Sequence, residues 1–196
     1  MSVKNTDPNL KKARTFFSGL FYALPILSMY TFAKNKLMTP SNFERMIQMA
    51  EEVFDAHNDP EQLDVDEQVI ARLHQLHQAC VSELDEGTGP VVWILLIPTT
   101  AQLMHDFLNG QCSEKELLNR TPVGGPYQAI YLCSAMVLPE YRNKGIAKKL
   151  TLNAIASIQK THPIEALFVW PFSKEGEKLS EKIAEQTGIK LSKKRK

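Results

Sequence analysis

The feature that most constrains this chain is the junction between an apolar run and a helical pattern. Residues 129–138 are mostly apolar, a short polar stretch and Gly145 follow, and a helix-like pattern continues to about residue 158. A strand, a turn and a helix start are therefore fused. Such a turn directs successive backbone N–H groups to one point in front of the positive end of the helix dipole. Gly145 has no Cβ to obstruct an approaching anion, so the junction predicts a phosphate-binding site. The nearby basic residues are Arg142, Lys144 and Lys148.

The same junction carries a sequence signature. The GNAT superfamily of N-acetyltransferases binds acyl-CoA with the pattern Arg/Gln-x-x-Gly-x-Gly/Ala, usually after V-x-P-x-Y. The corresponding residues here are Val137, Pro139, Tyr141, Arg142, Gly145 and Ala147. Because the lead-in, the strand pattern and the core of the signature occur together, the chain resembles this superfamily over residues 127–191.

The resemblance implies a fold, a cosubstrate and a reaction. The fold would be α/β (of the α+β type), with a GNAT-like mixed central sheet flanked by helices and a helical N-terminal extension. The activity would be that of an N-acetyltransferase with acetyl-CoA as cosubstrate, in which an amine of an unidentified small molecule or protein attacks the thioester directly. The alternative is a catalytically weak or inactive module that binds acyl-CoA as a sensor or subunit.

The resemblance also implies which residues bind the cosubstrate. Backbone groups of the strand before the turn would pair with the pantetheine arm and the acetyl carbonyl, and the turn itself would receive the diphosphate. A residue just after the next strand would contact the arm, although it is equally suited to be the N-cap of the last helix. The residues so assigned are Ala135, Met136, Val137, Arg142, Asn143, Lys144, Gly145, Ile146, Ala147, Lys148 and, after the next strand, Ser173.

The catalytic acid and base are not assigned. The family usually has a tyrosine in the last helix, four residues before a Gly-Phe or similar pair, and counting back from Gly188 gives Ala184. Tyr131 is an alternative acid if it lies in the cleft, whereas burial in the core would remove it from the chemistry. Without an acid or base, acyl transfer would depend on positioning and backbone electrostatics.

Charge and cysteine content limit the class of protein. The 196 residues carry a formal net charge of +1, which is not the excess of positive charge typical of a protein that binds nucleic acid. The basic run at residues 193–196 is expected to be solvated. Three widely spaced cysteines indicate no disulfide framework and favour a reducing, cytoplasmic compartment. A homodimer is a possible assembly.

The segment at residues 16–33 has two interpretations. It carries no charged side chain and has basic residues on both sides, which suggests a membrane span or signal anchor. It is only marginally long for a span of about 20 apolar residues, and polar residues and Pro25 dilute it. We therefore expect two short helices that meet near Pro25 and pack on the rest of the protein, without a membrane.

Helical spacing next predicts a helical hairpin. The first helix starts near Ser41, whose spacing to Glu44 is that of a capping box, and the second extends over residues 69–84 and ends at Gly87. The second helix carries three potential metal ligands, each three residues after the last. Side chains at this spacing point in progressively different directions around a helix, and no further ligand completes a tetrahedral set. The triplet is His74, His77 and Cys80. We expect no metal site.

The remaining pattern alternates strands and helices. Strands are predicted at residues 91–97, 127–138, 166–170 and 189–191, the first two buried on both faces. Predicted helix caps are Thr99 or Thr100, Ser113 and Ser173, and Gly188 ends the last helix. No strand is predicted before residue 89. We assign residues 1–88 to a helical region packed on the core and residues 89–196 to an acyl-CoA-binding core, the two forming one compact unit.

Overall fold

A computed structural model describes residues 40–53 and 62–194 of the chain. The helices in these residues are α1 Asn42–Val53, α2 Glu67–Leu76, α3 Ala101–Leu108, α4 Glu114–Arg120, α5 Ile146–Gln159 and α6 Lys174–Thr187. The strands are β1 Val81–Asp85, β2 Pro90–Thr99, β3 Ala129–Val137, β4 Ala166–Val169 and β5 Lys190–Lys193. Short 3₁₀ helices occur at Gln78–Cys80 and Pro139–Tyr141.

The strands form one mixed sheet in the order β1-β2-β3-β4-β5. β2 is antiparallel to both β1 and β3, whereas β4 is parallel to both β3 and β5. Parallel neighbours need a crossover connection, and α5 and α6 supply the two that are required. The mixed α/β class that the sequence predicts is therefore confirmed.

Strand β1 corrects the predicted second helix, which we expected to reach residue 84. Helix α2 ends at Leu76 because His77 is extended and a 3₁₀ helix follows it. The next residues pair with β2 as an antiparallel hairpin, so hydrogen bonds between strands replace those of a helix. The predicted boundary at residue 88 falls in the loop of this hairpin and would separate two paired strands.

Strand β2 is buried at every residue except the half-buried Leu95, as the sequence predicts. It continues through Pro98, where we expected it to stop. The carbonyl of Thr99 accepts a hydrogen bond from the N–H of Gln128 on the β3 side, so Pro98 faces the opposite edge. Since β1 extends along β2 only to Leu95, the missing N–H of Pro98 breaks no ladder hydrogen bond.

Helices α3 and α4 lie in the chain between β2 and β3, and their caps confirm the predicted starts. The hydroxyl of Thr100 accepts from the N–H of Leu103, which makes Thr100, rather than Thr99, the N-cap of α3. Ser113 and Glu116 form the predicted capping box of α4. At the start of α1, Ser41 and Glu44 form the other predicted box.

Strand β3 differs from the prediction in its second half. Residues 129–131 are buried on both faces, but residues 132–134 are half-buried and Ala135 is exposed. The reason is the length of its neighbour, because β4 pairs with β3 only from Ala129↔Ala166 to Tyr131↔Phe168. Alternation of apolar residues along β3 does not reveal where a neighbouring strand stops.

The predicted solvated run at residues 193–196 is wrong for Lys194, whereas Lys193 is exposed at the surface. Lys193 Nζ lies 2.7 Å from carboxylate oxygens of both Glu177 and Glu181 on α6. Lys194 is only 9% exposed. The rest of the run lies outside the described residues.

The alternatives for residues 16–33 also lie outside the residues that the structure describes. In residues 40–53 and 62–194, no helix has both the length and the apolar character needed to cross a membrane.

Candidate functional site

The loop that joins β3 to α5 contains two left-handed backbone positions. After the 3₁₀ helix Pro139–Tyr141, Asn143 has a φ of 61° and Gly145 a φ of 74°. Gly145 is the N-cap residue of α5 and has no side chain with which to cap it. Apart from its two chain neighbours, no described atom lies within 4 Å of a Cβ built on Gly145.

The backbone N–H groups at the end of this loop and at the start of α5 have no acceptor in the described part of the chain. The first intrahelical bond of α5 joins the N–H of Lys149 to the carbonyl of Gly145, at 3.0 Å. The N–H groups of residues 146–148 precede that bond and have no partner inside the helix. No described carbonyl or side chain accepts a hydrogen bond from the N–H groups of residues 143–148. The geometry is that of an anion site at a helix N-terminus.

The basic side chains around the loop are engaged in different ways. Arg142 turns back over β3, where its Nε donates to the carbonyl of Val137 at 3.1 Å and its Nη2 to Met49 Sδ at 3.3 Å. Lys144 Nζ lies 4.9 Å from the ring centroid of Tyr141. Lys148 is half-buried in the first turn of α5. Positive charge therefore surrounds the loop, although the Arg142 guanidinium lies on its β3 side.

The second half of β3 has an edge without a strand partner. The N–H of Leu138 donates to the carbonyl of Val91 at 3.0 Å, so the backbone of Leu138 and Met136 faces β2. The N–H and C=O groups of Ala135 and Val137 face the other edge. Because β4 has separated from β3 by this point, these groups border a gap between the two strands.

A β-bulge lies just before this edge. Leu95 is opposite Ser134 and Leu96 is opposite Leu132, which leaves Cys133 as the additional residue of β3. A bulge shifts the alternation of faces, so the alternation of side chains before Cys133 does not continue unchanged after it. The sequence shows no glycine or proline that signals it.

Two positions of the last helix were considered for functional roles, Ser173 as a contact of the pantetheine arm and Ala184 as the position of the catalytic acid. The hydroxyl of Ser173 accepts from the N–H of Gly176 at 3.0 Å, which makes it the N-cap of α6. Its own proton remains to be donated, so capping does not exclude a contact with the pantetheine arm. Ala184 is half-buried and has no group that could donate a proton.

Tyr131 is a core residue. Its ring is fully buried, and its hydroxyl donates to the carboxylate of Glu114 at the start of α4. The same carboxylate accepts from the backbone N–H of Leu63 at 2.8 Å. Burial, together with the adjacent Glu114, raises the pKa of Tyr131 well above its ordinary value. Such a phenol holds its proton at neutral pH and, as expected for the buried alternative, does not face solvent.

An ion pair that the sequence does not predict connects α1 to the loop between β3 and α5. The guanidinium of Arg45 donates to both carboxylate oxygens of Glu140, at 2.5 and 2.7 Å. These hydrogen bonds lower the pKa of Glu140 to about 2. A cavity of about 260 Å³ lies beside the pair, between α1 and the loop, and Met49 and Leu138 contribute to its walls. The residues are about 95 positions apart in the chain, and no local pattern relates them.

The considered metal triplet shows no sign of ligand geometry. His77 Nδ1 accepts from the backbone N–H of Ala79 at 3.0 Å, and Cys80 is buried. Across residues 40–53 and 62–194, no three histidine, cysteine or acidic side chains are grouped so that they could hold a metal ion.

Comparison of the chain with protein-family models, with curated proteins and with solved structures gives no match. The family resemblance therefore depends on the signature residues themselves.

Proposed function

We propose that this protein is an acetyl-CoA-dependent N-acetyltransferase that binds the diphosphate of the cosubstrate at the loop between β3 and α5. The observation that carries the proposal is the uncapped start of α5, whose N–H groups lack acceptors among the described residues. Backbone N–H groups and the helix dipole act together on an anion at such a position. Lys144 and Lys148 add positive charge.

The open edge of β3 would hold the pantetheine arm. This arm contains two amides, which can pair with the N–H and C=O of Ala135 and the N–H of Val137 as an added strand would; the carbonyl of Val137 already accepts from Arg142 Nε. The thioester would then lie in the gap between β3 and β4. An N–H at this edge could stabilise the oxyanion of the tetrahedral intermediate, a contribution that typically amounts to about 3 kcal/mol of the barrier.

The reaction would be a direct attack on the thioester. A neutral amine adds to the acetyl carbonyl carbon, a C–N bond forms, the C–S bond breaks, and the CoA thiolate takes up a proton. The amine must lose a proton to a base or to water. Positioning of the two reactants on the sheet would supply much of the rate enhancement.

The second candidate is a sensor or subunit that binds acyl-CoA with little or no turnover. Two observations favour it. Ala184 occupies the position at which the family has the tyrosine that serves as catalytic acid. Tyr131 is buried in the core, where its hydroxyl donates to Glu114. Thiol release in the presence of a panel of amines separates the candidates, because the enzyme produces free CoA and the sensor does not.

The test of the binding step compares two glycines. Gly145 and Gly110 both have left-handed φ values, 74° and 71°, and at both a Cβ would meet no described atom within 4 Å beyond its chain neighbours. Valine at either position should therefore cost similar stability, about 1–2 kcal/mol. We expect Gly145→Val to abolish the thermal shift caused by CoA and Gly110→Val to retain it. Absence of a shift in the unaltered protein at millimolar CoA would overturn the proposal.

A further inference from the structure

The cavity between α1 and the loop that follows β3 has apolar and polar walls. We call it the α1 cavity, and its volume is about 260 Å³. Met49, Leu138 and Pro139 supply apolar surface, and Gln48 and Arg142 supply polar groups. A flat heterocycle with hydrogen-bonding groups on its edge suits such walls, because its faces pack on apolar side chains while its edge pairs with polar ones.

Arg142 brings to this cavity a positive charge that has no carboxylate partner among residues 40–53 and 62–194. Its Nε donates to the carbonyl of Val137 at 3.1 Å and its Nη2 to Met49 Sδ at 3.3 Å, which places the guanidinium against α1. A thioether is a weak acceptor. A phosphate in the α1 cavity would therefore meet little competition for Arg142, in contrast to Arg45, which both carboxylate oxygens of Glu140 already engage.

Gln48 presents its amide in a fixed orientation. Its Nε2 donates to Glu52 Oε1 at 3.1 Å, one turn further along α1. Because a carboxylate only accepts hydrogen bonds, this contact determines which end of the amide is the nitrogen. The amide oxygen and the second Nε2 hydrogen have no partner in the described part of the chain. A donor and an acceptor side by side on an amide can pair with N6 and N7 of adenine, as they do when glutamine reads this base in nucleic acids.

The position of the α1 cavity suits one end of the proposed cosubstrate. The diphosphate of CoA carries the pantetheine arm on one side and adenosine 3′-phosphate on the other. The arm would run back along the open edge of β3, so the nucleoside must leave the loop on a different path. Pro139 and Arg142 belong both to the segment that joins β3 to α5 and to the wall of the α1 cavity. The cavity is therefore contiguous with the segment at which the diphosphate would bind.

The same position excludes the acceptor amine as the occupant. The amine must reach the thioester, which is at the far end of the pantetheine arm from the diphosphate. Strand β3 rises about 3.3 Å per residue, so an arm that extends along it takes the thioester several residues away from Leu138 and Pro139. A group in the α1 cavity lies at the diphosphate end of the cosubstrate.

We propose that the α1 cavity binds the adenosine 3′-phosphate of CoA, with Gln48 paired to the edge of the adenine, Met49 against its face and Arg142 bound to the 3′-phosphate. The inference rests on the proposed function for its choice of CoA as ligand. It adds selectivity for the nucleotide part of the donor. A thioester of free CoA is then a good donor, whereas a thioester on the phosphopantetheine of a carrier protein, which lacks the adenosine, is a poor one.

The test compares ligands within each variant of the full chain, so that a loss of stability affects all ligands alike. Calorimetry gives the Kd of CoA, of 3′-dephospho-CoA and of the CoA analogue with hypoxanthine in place of adenine, whose 6-oxo group accepts where adenine N6 donates. Arg142→Met removes the guanidinium and Gln48→Met removes the amide. The matched controls are Lys149→Met, which removes an exposed charge in the first turn of α5, and Gln159→Met, which removes an exposed amide at its end.

We expect the unaltered protein to bind CoA about tenfold more tightly than 3′-dephospho-CoA and about fivefold more tightly than the hypoxanthine analogue. Arg142→Met should abolish the first preference and Gln48→Met the second, each without effect on the other. Both controls should keep both preferences.

The possible failures are distinguishable. Equal affinities for the three ligands in the unaltered protein, or preferences that persist in Arg142→Met and Gln48→Met, would overturn the inference and leave the proposed function in place. A folded protein that binds none of the three ligands would overturn both.

Discussion

Arg45 of α1 and Glu140 of the loop after β3 form a two-point ion pair, with N–O distances of 2.5 and 2.7 Å. The pair connects the first described helix to the segment proposed to bind a diphosphate. It also neutralises a carboxylate that would otherwise repel an anion bound at the loop. Arg45 is therefore expected to support CoA binding through Glu140 and without a contact of its own.

Removal of Arg45 should weaken CoA binding, and removal of Glu140 as well should restore it. In Arg45→Met the carboxylate of Glu140 stays charged and unpaired near the diphosphate. In the double variant Arg45→Met/Glu140→Gln this repulsion is absent. Calorimetric titration with CoA at low and high salt measures the effect, which should shrink as salt screens the charge. A double variant no better than the single one would mean that Arg45 acts in another way.

Acid should disrupt this pair in a defined pH range. Hydrogen bonds from Arg45 lower the pKa of Glu140 from an ordinary value of 4.5 to about 2. A lowered pKa in the folded state means that the stabilisation is complete above pH 4.5 and is lost as the pH falls towards 2. The side-chain carboxyl ¹³C shift of Glu140 should titrate in that range, and in Arg45→Met it should titrate near its ordinary pKa. Titration near 4.5 in the unaltered protein would show that the pair does not form in solution.

Substitutions of Ser173 separate its two assigned roles. Ser173→Ala removes the N-cap of α6 and should lower the free energy of unfolding by about 1 kcal/mol. Ser173→Asp keeps an acceptor for the N–H of Gly176 and should restore most of that loss. Aspartate has no proton to donate at neutral pH, so a hydroxyl contact with the pantetheine arm would be lost in both variants. If Ser173→Asp binds CoA as the unaltered protein does, Ser173 is a cap alone.

Tyr131→Phe should destabilise the protein without affecting a catalytic step. The change removes the O–H that Glu114 accepts in the core, and a buried carboxylate that loses a donor typically costs about 1–3 kcal/mol. Denaturant unfolding measures this loss. Tyr141→Phe is the control, because its O–H donates to Glu86 at the exposed surface, and its unfolding midpoint should not change. A large fall in turnover with unchanged stability would instead make Tyr131 the catalytic acid.

The sequence predicted those elements whose signals are local. The capping boxes at Ser41 and Ser113 and the helix end at Gly188 depend on residues within one turn, and the structure has all three. Strand β2 was recognisable because it is buried on both faces along nearly its whole length.

The missed features depend on partners distant in the chain. β1 is a short edge strand whose apolar spacing also fits a helix, and only its pairing with β2 decides between them. The bulge at Cys133 is defined by the register of β3 against β2, and the end of pairing at Tyr131 is set by the length of β4. Likewise, the burial of Lys194 depends on Phe107 and Trp170, and the basic run around it suggests a solvated segment.

The most direct measurement is a titration of the ¹⁵N-labelled protein with CoA, followed at individual backbone amides. The proposal predicts saturable shifts at residues 144–148, whose N–H groups would meet the diphosphate, and at Ala135 and Val137, whose N–H groups would meet the arm. The amide of Gly110 should not move. If these resonances stay in place at millimolar CoA while the protein remains folded, the loop does not bind a diphosphate and the proposed function is wrong.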